Sequence, residues 1–302
     1  MFQTKILRFY TTDGVEINGI LYTPEQETKT VIISTHGISS NMFKKRVEIM
    51  ARRVAKENIA CFTYNTRGAG IISYINKNNE NGEKQKEFGG SAYEDILESY
   101  YDIKACMLEL KSLGYTNIIL QGHSLGSTKT VYTYNRMLEE KETLLENIKA
   151  VVLLSLVDIP SAQKYYLKER YGMYLAYAQT KKIEGKELEL MPTESFMDPI
   201  SVKTYLRLFK DNEKINIAKY SEPSYNFKEL NNIKVPIMMR FGNNNEMILQ
   251  KAEDLVETLK KKILNKKADI FFVDGADHGY NGKEEILATQ IINFIKDNKI
   301  EQ

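Results

Sequence analysis

The chain has 302 residues, of which 42 % are hydrophobic and 27 % are charged; this length suits one large α/β domain or two ordinary ones, and the composition is that of a soluble globular enzyme. Its formal net charge of +2 comes from 42 Lys and Arg against 40 Asp and Glu, and without a basic stripe this near-balance gives no basis for predicting nucleic-acid binding. No apolar stretch has the length of a membrane span or of a signal-peptide core, so we expect no membrane-spanning segment and a cytoplasmic protein.

The two cysteines of the chain are Cys61 and Cys106. Cys61 lies in an apolar run typical of a strand and Cys106 in a predicted helix, with neither a CxxC motif nor metal-ligand spacing. We therefore expect two small core residues in a reducing compartment, without a disulfide and without a metal site.

The first part of the chain combines a hairpin pattern with two buried strands. Asp13 and Gly14 separate two strand patterns between residues 6 and 22, which indicates a hairpin turn. Residues 30–34 and 59–64 are apolar runs typical of strands buried on both faces, with a helix predicted between them from about Asn41. The polar, glycine-containing segment 76–90 predicts a loop.

The middle of the chain begins with a predicted helix. Ser91 and Glu94 have the spacing of a capping box at its start, and Gly114 marks its end. Buried strands are predicted from Asn117 and over residues 150–157. From residue 159 to residue 234 no buried-strand run occurs and helical patterns predominate, which indicates a helical insertion.

Strand patterns occur again in the last part of the chain. Strands are predicted over residues 235–241 and 269–273, each followed by a helical pattern. Alternating strands and helices imply a mostly parallel sheet with helices on both faces. Because chemistry gathers at the carboxyl ends of such strands, four predicted strand ends are candidate site positions: those that lead to His36, to Ser124, to the loop after Phe241 and to His278.

The most informative motif is Gly-His-Ser-Leu-Gly over residues 122–126. It joins an apolar run to a helix-compatible segment, which is the context of a nucleophile elbow that exposes Ser124 on a sharp turn. Gly122 and Gly126 are expected where side chains would collide with neighbouring strands. The N-terminal amides of the following helix would face the reaction centre, where negative charge develops.

With these motifs the chain resembles the α/β-hydrolase superfamily over nearly its whole length. The motifs in the family's order are His36-Gly37, Arg67-Gly68-Ala69-Gly70, Gly122-His123-Ser124-Leu125-Gly126, Val235-Pro236-Ile237-Met238 and Gly275-Ala276-Asp277-His278. The resemblance implies an α/β-hydrolase core over residues 1–158 and 235–302, with a helical cap over residues 159–234. More weakly, Lys129, Tyr132 and Asp158 make the chain similar to fusarinine-type siderophore esterases.

The resemblance and the histidine content suggest the roles of the site residues. Ser124 would be the nucleophile, and a serine hydroxyl needs a base that takes its proton. Of the 3 His, His123 is expected to pack and His36 to shape a loop, so His278 is the base by elimination and by resemblance. The oxyanion hole would be the backbone N–H groups of Ile38 and Leu125.

The acid of the triad is where the sequence departs from the family pattern. After the seventh strand the family has glycine, two residues and aspartate, but this chain has Asn245 at that position after Gly242. Asparagine can hydrogen-bond an imidazole but cannot stabilise an imidazolium by charge. We favour the adjacent Glu246, with Asp158 at the end of the sixth strand as the alternative and Asn245 itself as the third candidate.

The sequence therefore predicts a serine esterase that forms an acyl-enzyme on Ser124 and acts on a small-molecule acyl ester. No metal or organic cofactor is implied, and the oligomeric state stays open. A thioesterase, an acyltransferase or a carbon–carbon bond hydrolase could use the same site. A catalytically silent ligand-binding scaffold is the alternative from another class, motivated by Asn245. Tyrosines of the insertion either line an acyl or aryl pocket or pack as the insertion's own small core: Tyr165, Tyr166, Tyr171, Tyr174, Tyr177 and Tyr205.

Overall fold

The fold is built on one eight-stranded sheet, as seen in a computed structural model that describes residues 2–79, 81–210 and 214–300. Its strands are β1 (Phe2–Tyr10), β2 (Glu16–Pro24), β3 (Thr30–Thr35), β4 (Ala60–Asn65), β7 (Asn117–His123), β8 (Ile148–Leu154), β9 (Ile237–Gly242) and β10 (Ala268–Val273), whereas β5 (Ser73–Asn78) and β6 (Lys84–Gly89) form a separate two-stranded ribbon. The order in the large sheet is β1-β2-β4-β3-β7-β8-β9-β10. Strand β2 pairs antiparallel with both β1 and β4, and the other pairs of the large sheet are parallel.

Helices cover both faces of this sheet. They are α1 (Lys45–Lys56), α2 (Ser99–Ser112), α3 (Leu125–Glu139), α4 (Ile159–Leu167), α5 (Arg170–Ile183), α6 (Val202–Phe209), α7 (Lys228–Asn231), α8 (Ala252–Lys262) and α9 (Glu284–Asp297). Across the described ranges, none of these helices has both the length and the apolar character that a membrane crossing requires.

The period of two along each strand divides the core between the two faces. Val31 and Ile33 of β3 belong to the apolar cluster that includes residues of α2, α3 and α8, whereas Ile32 belongs to the cluster that includes residues of α1 and α9. Cys61 and Cys106 are buried, unpaired thiols that belong to these two different clusters. Because the sheet separates them, they cannot form a disulfide with each other.

The segment predicted as a loop over residues 76–90 is instead most of a β-hairpin, so that prediction was wrong. Strands β5 and β6 pair in antiparallel register around a turn that contains Gly82. The aromatic rings of Tyr74 and Phe88 stack across the ribbon with centroids 5.3 Å apart. Both faces of the ribbon carry exposed polar side chains, so the hydrophobic alternation that normally reveals a strand is weak here.

Two predicted helix starts also lie elsewhere. Helix α1 begins at Lys45 and not near residue 41, and Phe43, which precedes it, is 67 % exposed. The Ser91–Glu94 capping box does not form, because Ser91 hydrogen-bonds Ser39 and the helix begins only at Ser99, after a short 3₁₀ turn. For Ser91, a partner distant in sequence decided the contact.

Helices α4 to α7 lie between β8 and β9, and we call residues 159–234 the helical insertion. An apolar cluster of Leu167, Tyr174, Tyr205 and Phe209 holds α4, α5 and α6 together and includes Leu125 at the start of α3. The insertion is therefore packed directly above the end of β7. The division of the chain into a core and a cap with these boundaries stays a prediction.

A buried ion pair joins α3 to the segment before α2. Lys129 Nζ lies 2.5 Å from Glu94 Oε1, and both side chains are almost fully buried. Burial raises the pKa of the Glu94 carboxyl, and the adjacent Lys129 ammonium counteracts this rise. Glu94 thus serves as a counter-ion and not as the helix cap that its sequence position suggested.

We expect the Lys129→Met variant to lose about 3–5 kcal/mol of unfolding free energy at neutral pH, because it leaves the Glu94 carboxylate buried without a partner. The loss should shrink as the pH falls, since the folded variant binds a proton on Glu94 that the unfolded chain releases. Urea unfolding at several pH values measures this. The Glu94→Gln/Lys129→Met double variant is the control, and a single variant as stable as the wild type would contradict the expectation.

Candidate active site

Ser124 lies on a strained turn between β7 and α3. Its backbone angles are φ 55° and ψ −125°, a left-handed φ that is uncommon for a residue with a side chain. The Ser124 N–H donates to the carbonyl oxygen of Leu154 at 2.8 Å, which anchors the turn to the end of β8. The sequence motif therefore has the backbone geometry of a nucleophile elbow.

Gly122 and Gly126 allow this turn because the backbone is crowded around both. A Cβ on Gly122 would lie 2.2 Å from the Gly126 carbonyl oxygen, and a Cβ on Gly126 would lie 2.3 Å from the Thr35 carbonyl oxygen. Both contacts are with backbone atoms, which cannot move away as the tip of a side chain could. The end of β7, the start of α3 and the end of β3 are thus held within van der Waals contact.

A Gly122→Ala variant is expected to lose about 3 kcal/mol or more of unfolding free energy, because the added methyl group has no space in the turn. Denaturant unfolding followed by circular dichroism measures the change. Gly172→Ala in α5 is the matched control, since a Cβ there meets no atom within 4 Å, and it should be neutral or stabilising by up to about 1 kcal/mol. Equal stability of Gly122→Ala and the wild type would refute the crowding argument.

His278 and Glu246 form a hydrogen-bonded pair beside the elbow. The Nδ1 atom of His278 is bonded to Oε1 of Glu246, whose side chain is 2 % exposed against 21 % for that of His278. The carboxylate is held from its other side by Ser155 Oγ at 2.6 Å and by the Gly242 N–H at 2.8 Å, both donating to Oε2. The Met247 N–H donates to Oε1 at 2.9 Å.

These contacts keep Glu246 ionised although it is buried. Burial alone would raise the pKa of the Glu246 carboxyl, but the hydrogen bond and charge of His278, together with the bonds from Ser155 and Gly242, outweigh it and lower the pKa. An ionised carboxylate at Nδ1 leaves Nε2 of the imidazole as the atom that can take a proton. A carboxylate with all of its partners in place can stabilise an imidazolium without rearranging.

The structure places the three acid candidates in different surroundings. Asn245 is exposed and adopts a left-handed φ of 52°, which turns the chain so that Glu246 points inward. Asp158 is the N-cap of α4, where its carboxylate accepts from the Ser161 N–H, and it is a further acceptor for Ser221 Oγ. Burial raises the pKa of Asp158. Of the three, Glu246 is the one in contact with the His278 imidazole.

Ser155 is a site residue that the sequence analysis missed. It follows β8 directly, adopts φ 48° and donates to Glu246, while its Oγ also lies 3.1 Å from the Tyr280 hydroxyl oxygen. The strand predicted over residues 150–157 contains Ser155, whereas β8 ends at Leu154, so a polar residue within an apolar run was the available signal. A serine there has no motif of its own, so the signal was too weak to single it out.

The other two histidines are buried and neutral. His123 Nε2 donates to the His278 carbonyl oxygen at 2.7 Å, and burial lowers the pKa of His123 well below its usual value. His36 Nδ1 donates to the Gly37 carbonyl oxygen while its Nε2 accepts from the Thr66 N–H, and burial with the nearby Lys129 charge lowers its pKa to about 3. Both rings therefore hold neighbouring loops of the site through hydrogen bonds to the backbone.

The two expected oxyanion-hole amides lie beside the elbow. Gly37, which precedes Ile38, is so close to the turn that a Cβ on it would lie 2.9 Å from Ser124 Cβ and 3.4 Å from the Leu125 nitrogen. Among the described residues, neither the Ile38 N–H nor the Leu125 N–H donates to a protein acceptor. These two donors are therefore available to an oxygen bound next to Ser124.

A cavity of about 630 Å³ opens at this point of the fold. Ser124, Leu125, Ile38, Glu246 and His278 all line it. The helical insertion and the loop after β9 supply mostly apolar side chains to its walls: Ile159, Ala162, Tyr165, Tyr166, Phe196, Met197, Leu208, Phe209, Met247, Ile248 and Leu249. Its size suits a small organic molecule.

The tyrosines of the insertion divide between the two roles considered from the sequence. Tyr165 and Tyr166 line the cavity and are largely exposed. Tyr174 and Tyr205 are buried in the apolar cluster of the insertion, and Tyr171 packs against that cluster. Residues 2–79, 81–210 and 214–300 contain no group of three or more His, Cys, Asp or Glu side chains arranged to hold a metal ion.

Comparisons with known proteins identify the fold. The chain is similar to the α/β hydrolase GrgF from Penicillium sp. sh18, with TM-score 0.67 and 15 % identity over 98 % of this chain and 99 % of that one. It is also similar to Est1E from Butyrivibrio proteoclasticus with ferulic acid bound, with TM-score 0.60 and 14 % identity over 97 % and 98 % of the chains. A third match is the Pyrococcus furiosus esterase Pf2001, with TM-score 0.57 and 16 % identity over 98 % and 91 %.

At such low identity these similarities show the fold alone. No protein-family model matches the chain, and no curated protein matches it in sequence. The chain has the α/β-hydrolase fold, with a mostly parallel central sheet and helices on both faces, so the fold class predicted from the sequence is confirmed.

Proposed function

We propose that this protein is a serine hydrolase that cleaves small-molecule carboxylic esters through an acyl-enzyme on Ser124. One observation carries the proposal: the His278–Glu246 pair and the strained Ser124 turn line the same cavity, with Ser124 on the turn between β7 and α3. A buried carboxylate behind a histidine, next to an elbow serine, is the arrangement that activates a hydroxyl for attack on an acyl carbonyl.

In the proposed reaction Ser124 Oγ attacks the ester carbonyl carbon while His278 Nε2 takes the hydroxyl proton. The carbonyl oxygen becomes an oxyanion that accepts hydrogen bonds from the Ile38 and Leu125 N–H groups. The imidazolium, held by the Glu246 carboxylate, then gives its proton to the leaving alcohol oxygen as the carbon–oxygen bond breaks. Water repeats these steps on the acyl-enzyme, releases the acid and restores the Ser124 hydroxyl.

An ester substrate has support from the comparisons and from the cavity. The Pyrococcus furiosus match is an esterase, and Est1E was solved with ferulic acid bound. Tyr165, Tyr166 and Phe196 give this chain's cavity an apolar and aromatic wall that suits an acyl or aryl group. A thioesterase, an acyltransferase or a carbon–carbon bond hydrolase would use the same residues, but no feature of this site favours one of them.

The ligand-binding scaffold is the weaker alternative. It was motivated by Asn245 at the expected acid position, and Glu246 supplies a carboxylate to His278 in its place. A protein that binds a ligand without cleaving it would not need a Glu246 carboxylate that accepts this full set of hydrogen bonds, nor the strained backbone of Ser124.

Covalent labelling tests the proposal. The folded protein is incubated with a fluorophosphonate, and the adduct is followed by intact mass and located by peptide mapping. We expect one adduct on Ser124, no adduct on the Ser124→Ala variant and none on the urea-unfolded wild type, because activation depends on the folded site. If the folded wild-type protein remains unlabelled, the esterase proposal is refuted and the ligand-binding scaffold is favoured.

A further inference from the structure

Arg46 is a buried cation in the wall of the active-site cavity. It lies in the first turn of α1 and lines the cavity with Ser124 and His278, although the residue is only 7 % exposed. Its Nε atom is buried and has no hydrogen-bond partner. Since buried polar groups are normally paired, an arginine with an unused donor next to a cavity needs an explanation.

The protein around Arg46 supplies little compensation for its charge. Arg46 Nη1 donates to the Gly279 carbonyl oxygen at 3.5 Å, which is at the long limit for a hydrogen bond. Asp277 attracts the guanidinium electrostatically, but its carboxylate accepts hydrogen bonds from the Gly279 N–H and from the backbone and side-chain amides of Asn281. Within the described residues, no carboxylate lies within salt-bridge distance of Arg46.

The N-terminus of α1 adds positive potential at the same wall. Lys44, Lys45 and Arg46 are consecutive and all three line the cavity. In the part of the chain that the structure describes, the N–H groups of Lys45 and Arg46 have no acceptor, as is usual for the first turn of a helix without a side-chain cap. Lys45 is paired with Glu284 at 3.2 Å, whereas Lys44 is exposed and carries no carboxylate partner there.

We propose that Arg46 and the N-terminus of α1 form a subsite for a carboxylate of the substrate, so that the preferred esters are those that also carry a free carboxylate. This proposal rests on the proposed function of the same cavity. A guanidinium presents its N–H groups as a planar fork that fits a carboxylate in two parallel hydrogen bonds. A bound carboxylate would give the guanidinium a counter-charge at hydrogen-bonding distance, which no carboxylate of the described residues provides.

The charge state of Arg46 is consistent with this role. Burial lowers the pKa of Arg46 to about 10, which still leaves the guanidinium charged at neutral pH. The acids in the cavity wall do not neutralise it: Glu246 is bonded to His278, and Asp198 belongs to the helical insertion and not to the wall formed by α1. A cation without a carboxylate at salt-bridge distance, in a partly enclosed cavity, attracts an anion more strongly than a cation in open water.

The first test uses the wild-type protein and matched pairs of esters. In one series the carboxylate is on the acyl side, in monoethyl esters of linear dicarboxylic acids from succinate to suberate, each compared with the uncharged ethyl ester of equal chain length. In the other it is on the alcohol side, in acetyl esters of ω-hydroxy acids compared with acetyl esters of alkanols. We expect kcat/KM to favour the charged ester by about tenfold or more in one series. A preference for the uncharged ester at every length in both series would overturn the proposal.

The second test is the Arg46→Gln variant. The ratio of kcat/KM for the charged ester to that for its uncharged partner should fall by about tenfold or more, chiefly through KM. Arg52→Gln is the matched control, because Arg52 lies on the same helix but pairs with Glu48 at the surface and does not line the cavity. If Arg46→Gln lowers both rates equally, then Arg46 only positions the Gly279 loop and the proposal fails.

Binding without turnover separates this proposal from the proposed function. Titration calorimetry with glutarate and adipate is expected to show binding to the wild type that Arg46→Gln weakens about tenfold or more and Arg52→Gln does not. Such binding without fluorophosphonate labelling or hydrolysis of any ester would retain the subsite and refute the esterase. Labelling and hydrolysis without Arg46-dependent binding or charge preference would retain the esterase and refute the subsite.

Discussion

Ester hydrolysis by the Ser124→Ala variant is expected to be about 10⁶-fold slower in kcat than hydrolysis by the wild type, close to the loss seen when a triad serine is removed elsewhere. The reason is that the proposed acyl-enzyme forms on the Ser124 hydroxyl, which alanine lacks. Hydrolysis of a chromogenic acyl ester, measured under single-turnover conditions, gives the ratio. A Ser124→Ala variant that keeps more than about a hundredth of the wild-type rate would show that the reaction does not pass through this residue.

Stability measurements on a second variant separate loss of chemistry from loss of fold. Ser124 adopts φ 55°, a conformation that costs about 1–3 kcal/mol for a residue with a side chain and that glycine adopts readily. Ser124→Gly should therefore be as inactive as Ser124→Ala and yet unfold at a higher denaturant concentration than Ser124→Ala. Equal unfolding midpoints for the two variants would indicate that the turn is not strained.

The Glu246→Gln variant is expected to lose about 10³–10⁴-fold in kcat, since an amide behind a triad histidine favours the wrong tautomer and cannot stabilise the imidazolium. The substitution nearly preserves the size of the side chain, so the bonds from Ser155 and Gly242 can still be accepted by the amide oxygen. Steady-state hydrolysis and the rate of fluorophosphonate labelling should fall together. A labelling rate close to that of the wild type would exclude Glu246 as the acid.

Two matched variants test the other acid candidates. Asp158→Asn should retain the wild-type labelling rate, because Asp158 caps α4 and asparagine is an equally good N-cap. Asn245→Asp should bring no gain, because Asn245 is exposed and His278 Nδ1 is already bonded to Glu246. If Asp158→Asn were the slow variant and Glu246→Gln the fast one, the assignment of the acid would be reversed.

Much of the fold was accessible from local patterns. Buried strands such as β3 and β7 are continuous apolar runs, and the Asp13–Gly14 turn joins β1 to β2 as predicted. The patterns failed where few apolar side chains are buried, as in β5 and β6, whose polar ribbon was taken for a loop. Periodicity reports burial, so an element that buries little gives little signal.

The candidate site also contains residues that a local motif reveals and residues that it does not. The Ser124 turn and its flanking glycines follow from the close approach of neighbouring backbones, which leaves a local motif in the sequence. The acid leaves no such motif, and the sequence left Asp158, Asn245 and Glu246 as candidates. Which of these side chains contacts His278 depends on how the loops after β9 and β10 pack against each other. Nothing in the sequence singled out Arg46, because its burial in the cavity wall depends on the tertiary structure.

By itself the sequence determined the strand and helix rhythm, the α/β-hydrolase fold class and the candidate serine and histidine, since each is encoded within a few consecutive residues. Only the tertiary structure decided that Glu94 pairs with Lys129, that Glu246 bonds His278 and that Arg46 lines the cavity. These contacts join residues far apart in the chain. Their energies depend on burial and distance in three dimensions, which local spacing does not record.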